Sequence, residues 1–161
     1  MSMTLPAETS IGHVHLKVAD INRAVDFYTK LLGFDVVTRI GDHAAFLSAG
    51  GYHHHIGLNT WESAGGLPAP TGHTGLYHFA ILLPDRRALA TVLKRLVDGG
   101  YPLTGAADHG VSEAIYLNDP DGNGIELYRD LPRAQWERDE NGQIMMKTAP
   151  LDLKKLLVES E

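Results

Sequence analysis

The chain has 161 residues, no cysteine and a formal net charge of −6 at pH 7. A negative chain without a basic cluster is a poor partner for nucleic acid, and no apolar run approaches the roughly 18 residues of a membrane span. Disulfides and thiolate chemistry are excluded, and MSMTLPAETS has neither the basic start nor the apolar stretch of a secretory signal. We therefore expect a cytoplasmic protein that binds neither nucleic acid nor membrane, in which histidine, with 9 copies, is the over-represented reactive residue.

The first part of the sequence has the pattern of a strand followed by a capped helix. In IGHVHLKV (residues 11–18), valine and leucine alternate with histidine and lysine, which predicts a half-buried strand. Asp20 then caps a helix over INRAVDFYTKLL, and Gly33 stands where a helix C-terminal glycine belongs. FDVVTRI, HAAFLSA and HHHIGLN follow as three strands, because Gly-Asp and Gly-Gly pairs separate them.

The same order of elements returns after a linker rich in Gly, Pro, Ala and Thr. LYHFAILL (residues 76–83) predicts a strand with Tyr77 towards the helix side, and Asp85 begins the helix DRRALATVLKRLVDGG. Residues 101–107 predict a short strand. SEAIYLND and GIELYRD predict two more strands, joined by the turn Asp-Pro-Asp-Gly.

This repeat predicts an α+β fold with a single domain over residues 10–132. Its two βαβββ modules span about residues 10–60 and 74–130, as expected for paired supersecondary units. Residues 133–161 form a charged C-terminal tail with a short helix expected at 152–158. The tail is either solvated, or it forms a flap or a dimer contact through its few apolar residues.

One parity rule sends three candidate metal ligands to the same side of the predicted sheets. Helices cover one face of each sheet, and the apolar strand residues face them, which leaves His13 of the first strand on the concave face. The same rule places His78 of the fifth strand and Glu126 of the last strand there. A lone histidine is more commonly structural, but three such groups at corresponding positions are not expected by chance. Two imidazoles and a carboxylate on one face of a metal match the facial triad of non-haem Fe(II) oxygenases.

Three stretches of the chain resemble the vicinal oxygen chelate superfamily. They are GHVHLKV, YHFAI and above all AIYLNDPDGNGIEL. This superfamily includes glyoxalase I, bleomycin- and fosfomycin-resistance proteins and type I extradiol dioxygenases. The resemblance covers about residues 10–132, and its most specific part is Y-x-x-D-P-x-G-N-x-x-E. It implies two βαβββ modules that form an incomplete barrel around one metal site.

Within the superfamily the chain is most similar to the catechol 2,3-dioxygenases. That resemblance implies Fe(II), with Mn(II) as the alternative, held by His13, His78 and Glu126. It implies an aromatic diol and O2 as substrates, cleavage of the ring beside the diol, and a homodimer or higher homo-oligomer. Residues that line the substrate pocket are expected among His15, Lys17, Tyr52 and Trp61.

The resemblance also implies roles for three residues that are not metal ligands. Tyr116 would hydrogen-bond a substrate oxygen, His109 would balance the charge that develops on that oxygen, and His54 would act as the acid-base catalyst. In HHHIGL (residues 53–58), strand alternation predicts that His54 shares one face of the strand with Ile56 and Leu58. His53 and His55 would then lie on the other face. Parity alone therefore leaves His55 as the alternative to His54, with a structural role open for each member of the triplet.

Two other activities of the same superfamily are alternatives. A glyoxalase I-like isomerase or lyase uses four protein ligands, with a carboxylate from each module. The place that mirrors Glu126 in the first module is expected near His54 or His55, where no glutamate stands, so a direct metal-binding role for His54 stays open. A non-enzymatic ligand-binding resistance protein would lack the triad that this chain has.

One feature departs from the family pattern. Familiar type I extradiol enzymes carry two such two-module domains, and only the second holds iron. This chain has one such domain, and it resembles the catalytic one. We expect either a small single-domain dioxygenase or a different activity on a retained site.

Overall fold

The first module forms an open sheet of four strands. The computed structural model describes residues 4–160, so the first three residues of the N-terminal stretch and residue 161 of the tail lie outside it. In the first sheet the order is β1-β4-β3-β2, with β1 parallel to β4 and the other pairs antiparallel. The strands are β1 (Val14–Lys17), β2 (Asp35–Ile40), β3 (Ala44–Ser48) and β4 (Ile56–Asn59).

The second module repeats this arrangement and adds one short strand from the tail. Its order is β5-β8-β7-β6-β9, and β5 runs parallel to β8. The predicted α+β fold of two βαβββ modules is thereby confirmed, with open sheets rather than a closed barrel. The strands are β5 (Phe79–Leu82), β6 (Gly105–Asp108), β7 (Ser112–Asn118), β8 (Gly124–Asp130) and β9 (Ala149–Pro150).

Both predicted helices begin at the aspartates that the sequence indicates. The Asp20 carboxylate accepts the Arg23 N–H at the start of α1 (Ile21–Asp26), and Asp85 does the same for Ala88 at the start of α2 (Arg86–Asp98). The first helix differs from the prediction in its second half, because Phe27–Leu32 is a π-helix. The wider turn leaves the Tyr28 carbonyl to accept the N–H groups of both residues that follow the helix.

The predicted alternation is confirmed in β1 and β8. Leu16 is 6% exposed in the core, whereas His13 and His15 on the opposite face are exposed. In β8 the neighbours of Glu126 are buried, and Glu126 itself is half-buried. The prediction that Tyr77 faces the helix is wrong, since this residue is 91% exposed. The physical reason is that β5 begins only at Phe79, so Tyr77 lies two residues before the paired backbone, where parity no longer holds.

The helix of the first module holds the β7–β8 turn of the second. The buried Tyr28 hydroxyl donates to Asp119 at 2.8 Å. Arg23 and the Ala19 N–H both bind the Asp121 carboxylate, at 2.7 and 2.8 Å. The predicted turn is closed by Asp119 itself, whose other carboxylate oxygen accepts two backbone N–H groups of the turn. These contacts fix the two modules relative to one another through charge-assisted hydrogen bonds, of which the one between Tyr28 and Asp119 is buried.

The C-terminal segment packs on the second module. The short helix expected at 152–158 is present as α3 (Leu153–Val158), and Leu156 is fully buried. β9 pairs with β6, and Trp136 donates its indole N–H to the Leu131 carbonyl at 2.8 Å. A flap or dimer role for this segment stays a prediction. Of the helices within residues 4–160, none has the length and apolarity to cross a membrane.

Candidate active site

The parallel pair β5 and β8 brings His78 and Glu126 together. The His78 Nε2 lies 2.9 Å from one carboxylate oxygen of Glu126, with side-chain exposures of 31% and 15%. Two donor atoms at a right angle around one ion, each roughly 2.1 Å from it, lie about 3.0 Å apart. The separation of these two atoms therefore fits neighbouring ligands of one metal ion, and an imidazole with a carboxylate suits several first-row divalent metals.

A chain of hydrogen bonds extends from the second oxygen of Glu126. The Tyr116 hydroxyl lies 3.2 Å from this oxygen and 2.7 Å from the His109 Nε2. At the other side of the ring, the His109 Nδ1 lies 3.0 Å from the Lys147 carbonyl. A carbonyl only accepts, so Nδ1 carries a proton. When the His109 ring is neutral, its Nε2 accepts a hydrogen bond from the Tyr116 hydroxyl. When the ring is an imidazolium, Nε2 donates to the Tyr116 oxygen, and the Tyr116 hydroxyl donates to Glu126.

The ionisation of Tyr116 is shifted by its surroundings. Burial, together with the neighbouring Glu126 carboxylate, raises the pKa of Tyr116 to about 12. The phenol therefore keeps its proton at neutral pH and acts as a hydrogen-bond donor. Because the Lys147 carbonyl fixes His109, the C-terminal segment takes part in the site. No pattern in the sequence indicates this backbone contribution.

His13 and His54 form a second group, on the first module. Their ring centroids are 4.4 Å apart, and His54 also contacts Phe46 at 5.1 Å. The His53 Nδ1 lies 2.8 Å from the His54 Nδ1. Loss of hydration lowers the pKa of His54, and the neighbouring histidines, His13 first, lower it further. His54 is therefore a neutral base near neutral pH.

The alternation expected for His54 is wrong. It grouped His54 with Ile56 and Leu58, which are buried, but the His54 ring lies against His13 on the opposite side of the sheet. The reason is that backbone pairing reaches only His55, whose N–H donates to the Leu47 carbonyl and whose carbonyl accepts the Val14 N–H, so His54 precedes the paired backbone. His55 instead contacts Ser48 at 3.2 Å and accepts the Ala49 N–H at 3.3 Å, which gives it a local structural environment.

Of the three predicted ligands, the structure joins two. His13 and His78 both line one cavity of about 1080 Å³ between the modules, but Glu126, Tyr116 and His54 are not part of its lining. Across residues 4–160, however, no three His, Cys, Asp or Glu side chains are grouped closely enough to hold a metal ion. The structure therefore assembles two of the three predicted ligands, His78 and Glu126, with Tyr116 and His109, and it holds His13 beside His54.

The strand register identifies the first-module counterpart of Glu126. In β8, Glu126 is paired with Ala80, the second residue after His78. In β4, Gly57 is paired with His15, the second residue after His13. The mirror position is therefore Gly57, and the expectation that it falls near His54 or His55 is wrong, because cross-strand pairing is not visible in a single stretch of sequence.

The family of the chain follows from comparison with known proteins. Residues 10–127 match the family model described as the Glyoxalase/Bleomycin resistance protein/Dioxygenase superfamily. The chain belongs to this superfamily. A catechol-2,3-dioxygenase of Bacillus subtilis (strain 168) is 45% identical over 153 residues, which is 95% of this chain and 53% of that protein. The chain thus spans about half the length of this relative.

Two further matches agree with this membership. Biphenyl-2,3-diol 1,2-dioxygenase 3 of Rhodococcus globerulus is 32% identical over 121 residues, covering 74% of this chain and 63% of that protein. The crystal structure of a glyoxalase/dioxygenase from Nostoc punctiforme has a TM-score of 0.66 at 19% identity, covering 82% of this chain and 99% of that one. The last match shows that the fold is shared.

Proposed function

We propose that the protein is a metal-dependent extradiol dioxygenase, which cleaves the ring of catechol-type aromatic diols beside the two hydroxyl groups. One observation carries the proposal. The two oxygens of the Glu126 carboxylate are divided between His78 at 2.9 Å and the Tyr116 hydroxyl at 3.2 Å. A metal-binding pair is thereby joined directly to a hydrogen-bond donor that can meet the substrate. The named dioxygenase relatives support this class.

The proposed metal is Fe(II), with Mn(II) as the alternative, and its proposed ligands are His13, His78 and Glu126. His78 and Glu126 face one another, and His13 lines the same cavity as His78. When bound, the metal supplies a Lewis acid that polarises the diol oxygens and a template that holds diol and dioxygen side by side. This ligand set is a proposal, supported by the geometry of the His78–Glu126 pair.

The remaining residues bind the diol and move its protons. Tyr116 keeps its proton, and when His109 is an imidazolium that donates to the Tyr116 oxygen at 2.7 Å, the Tyr116 hydroxyl donates a hydrogen bond to a diol oxygen. His54, neutral because its pKa is lowered, accepts a proton from a diol hydroxyl and returns it later in the reaction. Its contact with Phe46 keeps the imidazole ring on the open face of the first sheet.

The register of the strands favours this activity over a glyoxalase I-like isomerase. An isomerase of that kind takes a carboxylate from each module, and the position that would supply the second one is Gly57, which has no side chain. A pure ligand-binding protein would not need the His78–Glu126 pair. This supports a metal held by three protein ligands, His13, His78 and Glu126, with open coordination positions for the substrates.

We also propose that the protein acts as a homodimer. β1 pairs only with β4 and β5 pairs only with β8, so both are edge strands among the described elements. Leu76, Tyr77 and Leu82, beside or within β5, are all more than half exposed. Exposed edge strands and apolar side chains invite pairing with a second chain. Light scattering coupled to gel filtration tests this, and a monomer at all concentrations would contradict it.

The decisive experiment is anaerobic reconstitution with Fe(II), followed by catechol and air. We expect oxygen uptake and a yellow ring-cleaved product, both lost in Glu126→Ala and His13→Ala. A thiol-dependent isomerase would give neither signal with the wild type. If the iron-loaded wild type consumes no oxygen with any catechol, the proposal is wrong.

A further inference from the structure

The absence of a side chain at Gly57 makes room for the His15 ring. A Cβ atom placed on Gly57 would lie 2.9 Å from the Cγ and Nδ1 of His15, closer than real contacts allow. The imidazole therefore lies over the backbone of β4 at the position where the second module carries Glu126. In the first module, a histidine ring thus occupies the space that corresponds to a ligand carboxylate in the second.

A neighbouring amide fixes which nitrogen of His15 carries the proton. The Asn59 side-chain oxygen accepts the Trp61 N–H at 3.2 Å, so the amide nitrogen of Asn59 is the atom that faces His15. It donates to the His15 Nε2 at 2.9 Å. A nitrogen that accepts leaves the other nitrogen of a neutral imidazole as the donor. The His15 Nδ1–H is therefore a fixed donor, and Asn59, 7% exposed, holds it in place.

Aromatic rings flank this donor. The ring centroids of Phe46 and Trp61 each lie 5.8 Å from that of His15, and Trp61 is 62% exposed. His13 and Lys17 share the face of β1 with His15, two residues to either side, roughly 7 Å along the strand. On β1, β3 and β4 this face carries bases, the Asn59 amide and aromatic or small side chains, and the Glu62 carboxylate next to Trp61 is paired with Lys17 at 3.6 Å. An aromatic wall beside a donor of fixed direction, with the neighbouring carboxylate paired to a cation, suits an aromatic acid.

We infer that the His15–Asn59 pair selects aromatic diols that carry a carboxylate on the ring. The Nδ1–H of His15 donates to the carboxylate, and Phe46 and Trp61 pack beside the ring. A hydrogen bond to an ionised acceptor is roughly twice as strong as a neutral one, so a carboxylate gains more than a hydroxyl or an alkyl group at this position. The inference rests on the proposed function for the diol, but the carboxylate contact is independent of metal and of turnover.

The first test measures binding of benzoate to the metal-free protein by fluorescence of Trp61, in a Trp136→Phe background. Benzyl alcohol is the neutral counterpart. We expect benzoate to bind at least about 10-fold more tightly than benzyl alcohol, and His15→Phe to lose this preference. Gly57→Ala should lose it as well, because the added methyl group displaces the imidazole. Equal affinity for both compounds in the wild type, or an unchanged preference in His15→Phe, overturns the inference.

Lys17→Gln is the matched control. Lys17 lies on the same face of β1, is exposed and pairs with Glu62 at 3.6 Å, so it contributes general positive charge without a fixed geometry. We expect its benzoate affinity to stay within about 2-fold of the wild type. An equal loss in Lys17→Gln and His15→Phe would show that charge alone attracts the anion, and the inference would be wrong. Circular dichroism checks the fold of each variant.

The second test compares turnover of 3,4-dihydroxybenzoate and 4-methylcatechol by the iron-loaded protein. The ratio of their kcat/KM values should fall at least about 10-fold in His15→Phe, with 4-methylcatechol changed by less than about 2-fold. If the wild type turns over neither diol but benzoate binding still depends on His15, the proposed function fails and the inference stands. If both diols are cleaved with a ratio that His15→Phe leaves unchanged, the inference fails and the proposed function stands.

Discussion

His78 and Glu126 face one another across the parallel strands β5 and β8, with the imidazole Nε2 2.9 Å from a carboxylate oxygen. The two residues are far apart in sequence, and only the pairing of β5 with β8 brings their side chains together. The other oxygen of Glu126 points to the Tyr116 hydroxyl. Glu126 therefore joins the candidate metal pair to the residues that would contact the substrate.

Removing the charge of Glu126 should remove the metal. Loss of an outer-shell partner alone costs roughly 10- to 100-fold in metal affinity, so we expect Glu126→Gln to bind Fe(II) at least about 100-fold more weakly. Iron content after anaerobic gel filtration measures this. Glu62→Gln is the control, because the Glu62 side chain is 78% exposed and pairs with Lys17 on the surface of the first module. Stoichiometric iron in Glu126→Gln would contradict the proposed ligand set.

Removing the Tyr116 hydroxyl should affect turnover and leave the metal bound. A hydrogen bond to a charged group contributes about 1.5–3 kcal/mol, so kcat/KM in Tyr116→Phe should fall roughly 10- to 150-fold at unchanged iron content. Tyr101→Phe is the matched control, because the Tyr101 hydroxyl donates to the Asn118 carbonyl at 2.8 Å, away from Glu126. Activity of Tyr116→Phe within twofold of the wild type would show that this hydroxyl does not meet the substrate.

His109 and Tyr116 should act as one unit. Their 2.7 Å hydrogen bond means that either substitution breaks the same contact. In a double-mutant cycle, His109→Gln with Tyr116→Phe should therefore lose less than the sum of the two single losses. Steady-state kinetics on the iron-loaded variants measures this coupling. Strict additivity would indicate that His109 acts on the reaction without Tyr116.

The fold could be predicted because its determinants are local. Asp20 and Asp85 cap helices within one turn, and strand alternation sets which residues face the helices. The π-helical half of the first helix was not predicted, since its apolar spacing is the same as that of an α-helix over so short a run. The π-helix includes Tyr28, which contacts Asp119 of the other module. No local sequence pattern indicates a contact between the modules.

The candidate site could be predicted only where its residues lie in or beside paired strands. Parity placed His78 and Glu126 on one side because β5 and β8 are in register. It failed for His54, which lies two residues before β4, and it could not identify Gly57 as the counterpart of Glu126. The Lys147 carbonyl was missed for another reason. Every residue has a carbonyl, so a backbone contact at long range has no signature in the sequence.

The histidine triplet makes a prediction that separates catalysis from structure. The His54 ring faces His13 and Phe46, whereas the His55 ring accepts a backbone N–H and contacts Ser48. We expect His54→Ala to keep its iron and lose turnover, and His55→Ala to keep turnover and lose about 1 kcal/mol of unfolding free energy. Iron analysis, kinetics and urea titration measure the three effects. If His55→Ala loses turnover and His54→Ala does not, our choice within the triplet is wrong; if His54→Ala loses iron, His54 is a ligand.

The contact between Tyr28 and Asp119 predicts how stability changes at high pH. Burial raises the pKa of Tyr28 well above its usual value, and the nearby Asp119 carboxylate raises it further. At a pH between the pKa of Tyr28 in the unfolded chain and its higher pKa in the fold, the hydroxyl keeps its proton in the folded protein and loses it in the unfolded chain. The free energy of unfolding therefore decreases as the pH rises above about 10, by up to ~1.4 kcal/mol per pH unit from this group.

In Tyr28→Phe this pH-dependent contribution is absent. At pH 8 the variant should be less stable than the wild type by about 1 kcal/mol, because the hydrogen bond to Asp119 is lost. The deficit should stay modest, since Asp119 still accepts the N–H groups of Asp121 and Asn123. Between pH 10 and pH 11 the wild type should lose stability faster, so that the two curves approach one another. Urea unfolding across this range measures both slopes, and equal slopes would show that Tyr28 ionises in the fold as it does in the unfolded chain.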